Sequence, residues 1–198
     1  MHTNLHIKET IRKAMRARRK DMLVETVHAL SFAAQSNILE DKAWKNAQSV
    51  GLYVAVRHEV ETGILMENAW SAGKDVYFPY TPPTGAGVMH LLPCASGEKL
   101  VTNHFGIPEP TPATCPLPEE GEEWVPDVIV VPGIAFDVKG RRVGSGGGYY
   151  DRLFAKRSMA RTLRIGLAYG FQVLDEVPVE KWDAPMHAIA TEEGLTWL

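Results

Sequence analysis

The chain has 198 residues, of which 45% are hydrophobic and 23% charged, with a formal net charge of −3. These proportions fit one ordinary globular domain, residues 1–198, long enough to bury a core without disulfides or a structural metal. They exclude a globally basic nucleic-acid binder, and no apolar run nears the ~20 residues of a membrane-spanning helix. The opening MHTNLHIKETIRKAMRARRK lacks the apolar segment of a signal peptide, so the expected location is the cytoplasm. Cys94 and Cys115 fit no zinc spacing and are expected as reduced thiols.

Leu5 to Met22 has helical periodicity. Ile11, Ala14, Met15 and Met22 fall on one side, and Lys8, Arg12, Arg16 and Arg19 on another. A second helix is expected over Glu25 to Asp41. SVGLYVAV, Ser49 to Val56, reads as a buried strand. Glu61 to Ala72 reads as a helix stopped by Gly73, and DVYFPY (Asp75 to Tyr80) and VMHLLP (Val88 to Pro93) as further strands. This alternation predicts parallel pairing with helices on the faces. Pro108 to Pro126 is rich in proline and acidic residues, as in an extended surface loop. DVIVVPG, Asp127 to Gly133, is the strongest buried-strand signal. A glycine-rich stretch then opens a helix over Gly148 to Arg157. LRIGLAY (Leu163 to Tyr169) and MHAIAT (Met186 to Thr191) are the expected last strands.

The glycine-rich stretch is Gly144-Ser145-Gly146-Gly147-Gly148-Tyr149-Tyr150-Asp151. Glycine permits positive φ and close approach of a ligand to the backbone. Successive amides in such a turn form an anion cradle, to which a following helix N-terminus adds positive potential. No Gly-Lys-Ser/Thr follows, so this is not a Walker A loop. Taken alone, it is equally compatible with a flexible surface turn, and Asp151 with a plain helix-start charge.

PGIAFDVKGRRVGSGGGYYDRLF, from Pro132 to Phe154, resembles the signature of the 5-formyltetrahydrofolate cyclo-ligase family, also called methenyltetrahydrofolate synthetases. Lys8 and Arg12 match the family's N-terminal Lys-x-x-x-Arg. YVAVRHEVET (Tyr53 to Thr62) is similar to its folate-contacting strand and loop, and FGIPEP (Phe105 to Pro110) to its Ile-x-Glu-Pro element. VPVEKWDAPMH (Val177 to His187) resembles its C-terminal segment with a metal-binding aspartate. The matches run in the family's order along nearly the whole chain. The implied fold is a three-layer α/β/α sandwich with a mainly parallel central sheet, of the kind shared with sugar-phosphate isomerases and CoA transferases. The implied activity is ATP- and Mg²⁺-dependent cyclisation of 5-formyltetrahydrofolate to 5,10-methenyltetrahydrofolate through a phosphorylated formyl group.

The resemblance assigns residues. Lys8, Arg12 and Arg142, with Gly144, Ser145, Gly146, Gly147, Gly148, Tyr149 and Tyr150, are expected at ATP. Val54 and Glu59 are expected at the folate, and Ser145 to Tyr149 at the border of both ligands. Asp151 and Asp183 are the expected Mg²⁺ ligands. Arg16 and Arg19 are expected to be solvated or structural, and His58 to edge the folate site. No residue is singled out as a proton donor. His187 stands where the family more often has an acidic residue, Ser145 where a larger one is common, and Gly147 where some members carry lysine. The partners expected are small molecules, with no nucleic acid and no membrane, for a monomer or weak dimer. The alternatives are a homologue that binds folate or nucleotide without turnover, and an ATP-independent isomerase or CoA transferase on the related fold.

Overall fold

The computed structural model describes residues 2–84, 87–115, 117, 119 and 122–198. Three helices lead: α1 (His2–Lys20), α2 (Val24–Glu40) and the short α3 (Lys42–Asn46). Asp41 starts α3 by accepting from the Ala43 amide at 2.7 Å, as an N-cap does. Next come β1 (Ser49–Gly51), α4 (Gly63–Ser71), β2 (Asp75–Tyr80), β3 (His90–Pro93), β4 (Val101–Thr102) and β5 (Pro108–Glu109). β6 (Val128–Pro132), β7 (Ala135–Asp137) and β8 (Arg142–Val143) precede α5 (Tyr149–Phe154). β9 (Leu163–Leu167), β10 (Val173–Leu174), β11 (Ala188–Thr191) and β12 (Gly194–Trp197) follow.

Seven strands form the central sheet in the order β12-β11-β9-β6-β1-β2-β3. The five inner strands pair in parallel, and β12 and β3 close the two edges antiparallel. Alternation along β6 feeds two cores, because successive strand side chains point to opposite faces. Val128 and Val130 pack with Ile38, Trp44 and Leu65 from the α2–α4 side. Ile129 and Val131 pack with Leu153, Phe154 and Met159 from the α5 side. A small sheet, β10-β7-β8, contributes Ala135 and Val143, on which Ile11 and Met15 of α1 rest.

Several expectations are corrected. The strand expected over 49–56 pairs regularly only at 49–51, after which the chain turns into a loop. β3 runs antiparallel to β2, with no helix between them among the described residues. β11 is not the last strand, since β12 folds back on it. The helix expected over 148–157 ends at Phe154. Of the proline-rich loop expected over 108–126, residues 116, 118, 120 and 121 lie outside the described residues. Its start is not a free loop: Glu109 is buried, forms β5, and accepts from the Thr81 amide at 3.1 Å and from Asn103 Nδ2 at 2.8 Å.

Topology locates the active edge. From β1 the chain moves outward to β2, whereas from β6 it moves the other way to β9. Connections leaving adjacent strands in opposite directions open a crevice at the carboxyl end, where α/β proteins bind ligands. The segment after β1 carries Glu59. The segment after β6 carries the glycine-rich turn.

Candidate functional site

On the β1 side, the Glu59 amide donates to Val56 O at 3.0 Å across a tight turn. Its two central residues, Arg57 and His58, have φ of 53° and 55°. Both are left-handed without being glycine, a conformation costing roughly 1–2 kcal/mol per residue. Three contacts hold it. Arg57 Nη2 donates to Phe105 O at 2.8 Å, His58 Nδ1 donates to Arg19 O at 2.9 Å, and Tyr53 OH donates to Val60 O at 2.6 Å. Such enforced strain is typical of functional turns.

The turn sets Glu59 in a nearly closed environment. Burial raises its carboxyl above the ordinary value of 4.5, and the Arg19 guanidinium is the largest opposing influence. Burial raises the Tyr53 and Tyr150 hydroxyls, and the Glu59 charge adds to both. A cavity of about 250 Å³ opens next to Glu59, with Ala55 and Val56 among its walls. That is small against the ~300–1,000 Å³ of typical ligand sites. Val54 is not one of those walls. It packs half-buried on the core under α2–α4.

On the β6 side, Gly146 has φ of 113° and Gly148 φ of 64°, which reserves both positions for glycine. The carbonyls of this turn are tied away from the crevice. Arg12 Nε donates to Gly144 O at 2.9 Å, Arg16 Nη2 donates to Ser145 O at 3.4 Å, and Arg152 donates to Gly147 O. Among the described residues, nothing accepts from the amides of residues 145–148. Arginines thus hold the carbonyls of the turn while its amides stay unengaged, the arrangement an anion cradle would need. α5 has only six residues, so its dipole adds less than the sequence alone promised.

The charged residues meet in opposite-sign pairs. Lys8 Nζ lies 2.6 Å from Asp183 Oδ2, both side chains largely buried. Arg142 Nη2 lies 3.2 Å from Asp151 Oδ1. The Ala184 amide also points to Asp151 Oδ1, at 3.4 Å, so the Asp183 loop touches the start of α5. The fold therefore joins Lys8, Arg12, Arg142, Asp151 and Asp183, which lie far apart in sequence. No group of three or more His, Cys, Asp or Glu suited to a metal exists among the described residues.

Tyr149 packs edge-on against Phe105 at 5.7 Å, which brings the β4–β5 hairpin over the glycine turn. Tyr150 lies under the Arg142 guanidinium at 5.3 Å, and burial raises its hydroxyl pKa. Of Arg16 and Arg19, expected to be solvated or structural, Arg19 is built into the structure: its side chain is only 4% exposed and faces Glu59 at 3.6 Å. Arg19 shares a helical stripe with Lys8, Arg12 and Arg16, on which Lys8 and Arg19 are buried, Arg12 is half-buried and Arg16 stays exposed. His187 is settled differently. It sits at the amino end of β11, where its Nδ1 accepts from the Arg164 amide at 3.0 Å. That is the opposite end of the sheet from the glycine turn, so its chemistry is structural.

Residues 4–192 match the sequence profile described as the 5-formyltetrahydrofolate cyclo-ligase family. The chain belongs to this family. The 5-formyltetrahydrofolate cyclo-ligase of Escherichia coli K12 is 32% identical over 180 residues, covering 89% of this chain and 96% of that one. The enzyme of the same name from Haemophilus influenzae is 29% identical, covering 94% and 98%. The solution structure of the Aquifex aeolicus 5,10-methenyltetrahydrofolate synthetase superposes with a TM-score of 0.78 at 31% identity, covering 96% and 92%. The cyclo-ligase fold is thus the fold described above, with the α/β/α layering and mainly parallel sheet that the resemblance implied.

Proposed function

We propose that this chain uses ATP to activate the formyl group of 5-formyltetrahydrofolate and closes it to 5,10-methenyltetrahydrofolate. The observation that carries the reading is the family match through residues 4–192. Support comes from the meeting of Lys8, Arg12, Arg142, Asp151 and Asp183 at the glycine turn. A formamide carbon is a weak electrophile. Its oxygen attacks the γ-phosphorus, the bond to the β,γ-bridging oxygen breaks, and ADP leaves. N10 then attacks the formyl carbon. Phosphate departs with the C–O electron pair and N10 loses its proton, leaving the methenyl cation.

In this reading the protein works by positioning and charge neutralisation, as phosphoryl transfer requires. Lys8, Arg12 and Arg142 meet the phosphates, and the amides of residues 145–148 hold the transferred group. Ser145 to Tyr149 border both ligands, Tyr150 backs them, Glu59 accepts from a pterin N–H, and Val54 serves the folate from the same segment after β1. Asp151 and Asp183 would hold Mg²⁺, since two carboxylates plus phosphate oxygens suit that ion. Mg²⁺ would neutralise charge on the departing ADP. The opposite-sign pairs fit this reading: Asp151 and Asp183 would hold the ion, Lys8 and Arg142 would serve phosphate, and each carboxylate already has a cation beside it.

Strands on both sides of the proline-rich segment share one sheet, which supports residues 1–198 as a single unit, read here as a monomer or weak dimer. Among the described residues no helix is long and apolar enough to cross a membrane. A cytoplasmic address belongs to the same proposal. The test is incubation with 5-formyltetrahydrofolate, ATP and Mg²⁺, following near-ultraviolet product absorbance and ADP. Folded protein that gives no ATP-dependent product overturns the reading. Tight folate binding without ATP hydrolysis would favour the non-catalytic alternative.

A further inference from the structure

We propose that Arg19 is a positioning residue for folate recognition, keeping the Glu59 carboxylate ionised and aimed into the crevice while leaving it unsaturated. The inference rests on the reading of Glu59 as the folate acceptor. Arg19 reaches the site from the last turn of α1, three helical turns after Lys8. Its side chain is 4% exposed, and Nη1 stands 3.6 Å from Glu59 Oε1. The other carboxylate oxygen is 3.3 Å from the Val56 amide. Both distances exceed those of a strong charge-assisted hydrogen bond, ~2.7–2.9 Å. The carboxylate thus feels positive charge yet keeps room for a substrate donor.

A purely structural ion pair would be built otherwise. Buried pairs contribute little to stability unless their remaining donors are satisfied. Arg19 fails that condition, because its Nε is buried without a hydrogen-bond partner. Arg19 also anchors the turn itself, since its carbonyl accepts from His58 Nδ1 at 2.9 Å. One residue therefore holds both the backbone that presents Glu59 and the charge of its carboxylate. The charged and titratable groups around Glu59 are Arg19 from α1, Arg57 from its own turn, Tyr53 beyond β1, Tyr150 of α5, and the His28–Glu61 pair that shares its cavity. His58 adjoins it in the turn, and Tyr169 OH donates to the Glu59 carbonyl at 3.3 Å. Of the cations, Arg19 opposes Glu59 protonation most, and Arg57 less.

The test compares Arg19→Leu, Arg19→Lys, Glu59→Gln and the double variant Arg19→Leu/Glu59→Gln, by steady-state kinetics across pH. Arg19→Leu should raise KM for 5-formyltetrahydrofolate about tenfold or more at neutral pH, the worth of one charge-assisted hydrogen bond, with KM for ATP unchanged. The acid limb of folate recognition should move to higher pH, because the uncompensated carboxyl protonates more readily. Arg19→Lys should restore most of the pH profile. Added to Glu59→Gln, Arg19→Leu should cost nothing further. A wild-type folate KM and pH profile in Arg19→Leu, alongside an impaired Glu59→Gln, would overturn the role of Arg19. An unimpaired Glu59→Gln would instead remove the underlying assignment of Glu59. If Arg19→Leu does not fold, an Arg19→Lys variant whose folate KM and KM for ATP rise together also overturns the proposal.

Discussion

The two sides of the crevice solve recognition differently. At the glycine turn both buried cations pair with a carboxylate: Lys8 with Asp183, and Arg142 with Asp151. At the Glu59 turn a single carboxylate is shielded from water, with one guanidinium at 3.6 Å and one amide at 3.3 Å. The first side suits a ligand that brings both signs of charge, such as a metal-bound triphosphate. The second suits a neutral donor such as a pterin N–H. The backbones differ in parallel. The glycine turn adopts positive φ cheaply, while the Glu59 turn forces it on Arg57 and His58 and needs anchors from α1 and the β4–β5 hairpin.

Removing one partner of a charge pair tests the first side hardest. Lys8→Ala should lower kcat/KM for ATP by about 10²–10³, the usual cost of losing a preorganised charge at phosphoryl transfer, with folate KM little changed. Initial rates at varied ATP check this, and an equal loss for both substrates would erase the distinction between the two sides.

The glycine turn hangs from β7–β8, which Asp137 ties together. This carboxylate is fully buried and accepts from the Lys139 amide at 2.9 Å, the Val177 amide at 2.9 Å and Arg141 Nε at 2.6 Å. Burial alone would raise its pKa, but these donors outweigh it and hold it below 3.8. Its stabilisation is therefore present above 3.8 and is lost as pH falls through the lowered native value. Asp137→Ala should cost about 3 kcal/mol in urea unfolding. A variant as stable as the parent would show that the turn does not depend on this support.

On the second side, Glu59→Gln should raise the folate KM about 10–100-fold while leaving KM for ATP alone. In the parent, folate binding should weaken as pH falls through a value above 4.5, because the buried carboxyl protonates early. The same raised value means that ionising Glu59 opposes folding. Its stabilising contribution, full below 4.5, is lost as pH rises through the native value. Asp137 and Glu59 thus carry opposite signs of pH-linked stability. Titration of both carboxyls by NMR would sharpen or remove that contrast.

The smallest effect belongs to a position outside the comparison. His187→Ala should change kcat less than about twofold and cost about 1 kcal/mol, as for one lost hydrogen bond to a backbone amide. A large kinetic effect would mean that the site extends to the far end of β11.

Much of this was legible before any coordinates. Long periodic helices and apolar strands declare themselves because burial on one face repeats at fixed spacing. The expected Asp75 to Tyr80 strand coincides with β2 residue for residue, and α1 and α2 lie within two or three residues of expectation. β12 was invisible because the two-residue connection Glu192-Glu193 lacks the Asn-Gly or Asp-Gly chemistry that marks hairpins. β3 was assigned a parallel pairing because a sequence does not display which edge of a sheet it will join.

The sequence by itself carried the resemblance that implied the family and its layered α/β fold, through contiguous motifs such as Pro132 to Phe154, and it marked the glycine-rich turn as a candidate cradle. Only the tertiary structure decided that Lys8 and Arg19 of the basic stripe are buried while Arg16 stays exposed, that Lys8 meets Asp183 across 175 residues, and that Arg19 meets Glu59. The physical reason is that a helix shows its stripe in sequence but not its partner. Whether four cations are solvated or paired depends on which surface their helix packs against, and that is set by the sheet topology that brings the segments after β1 and β6 to one crevice.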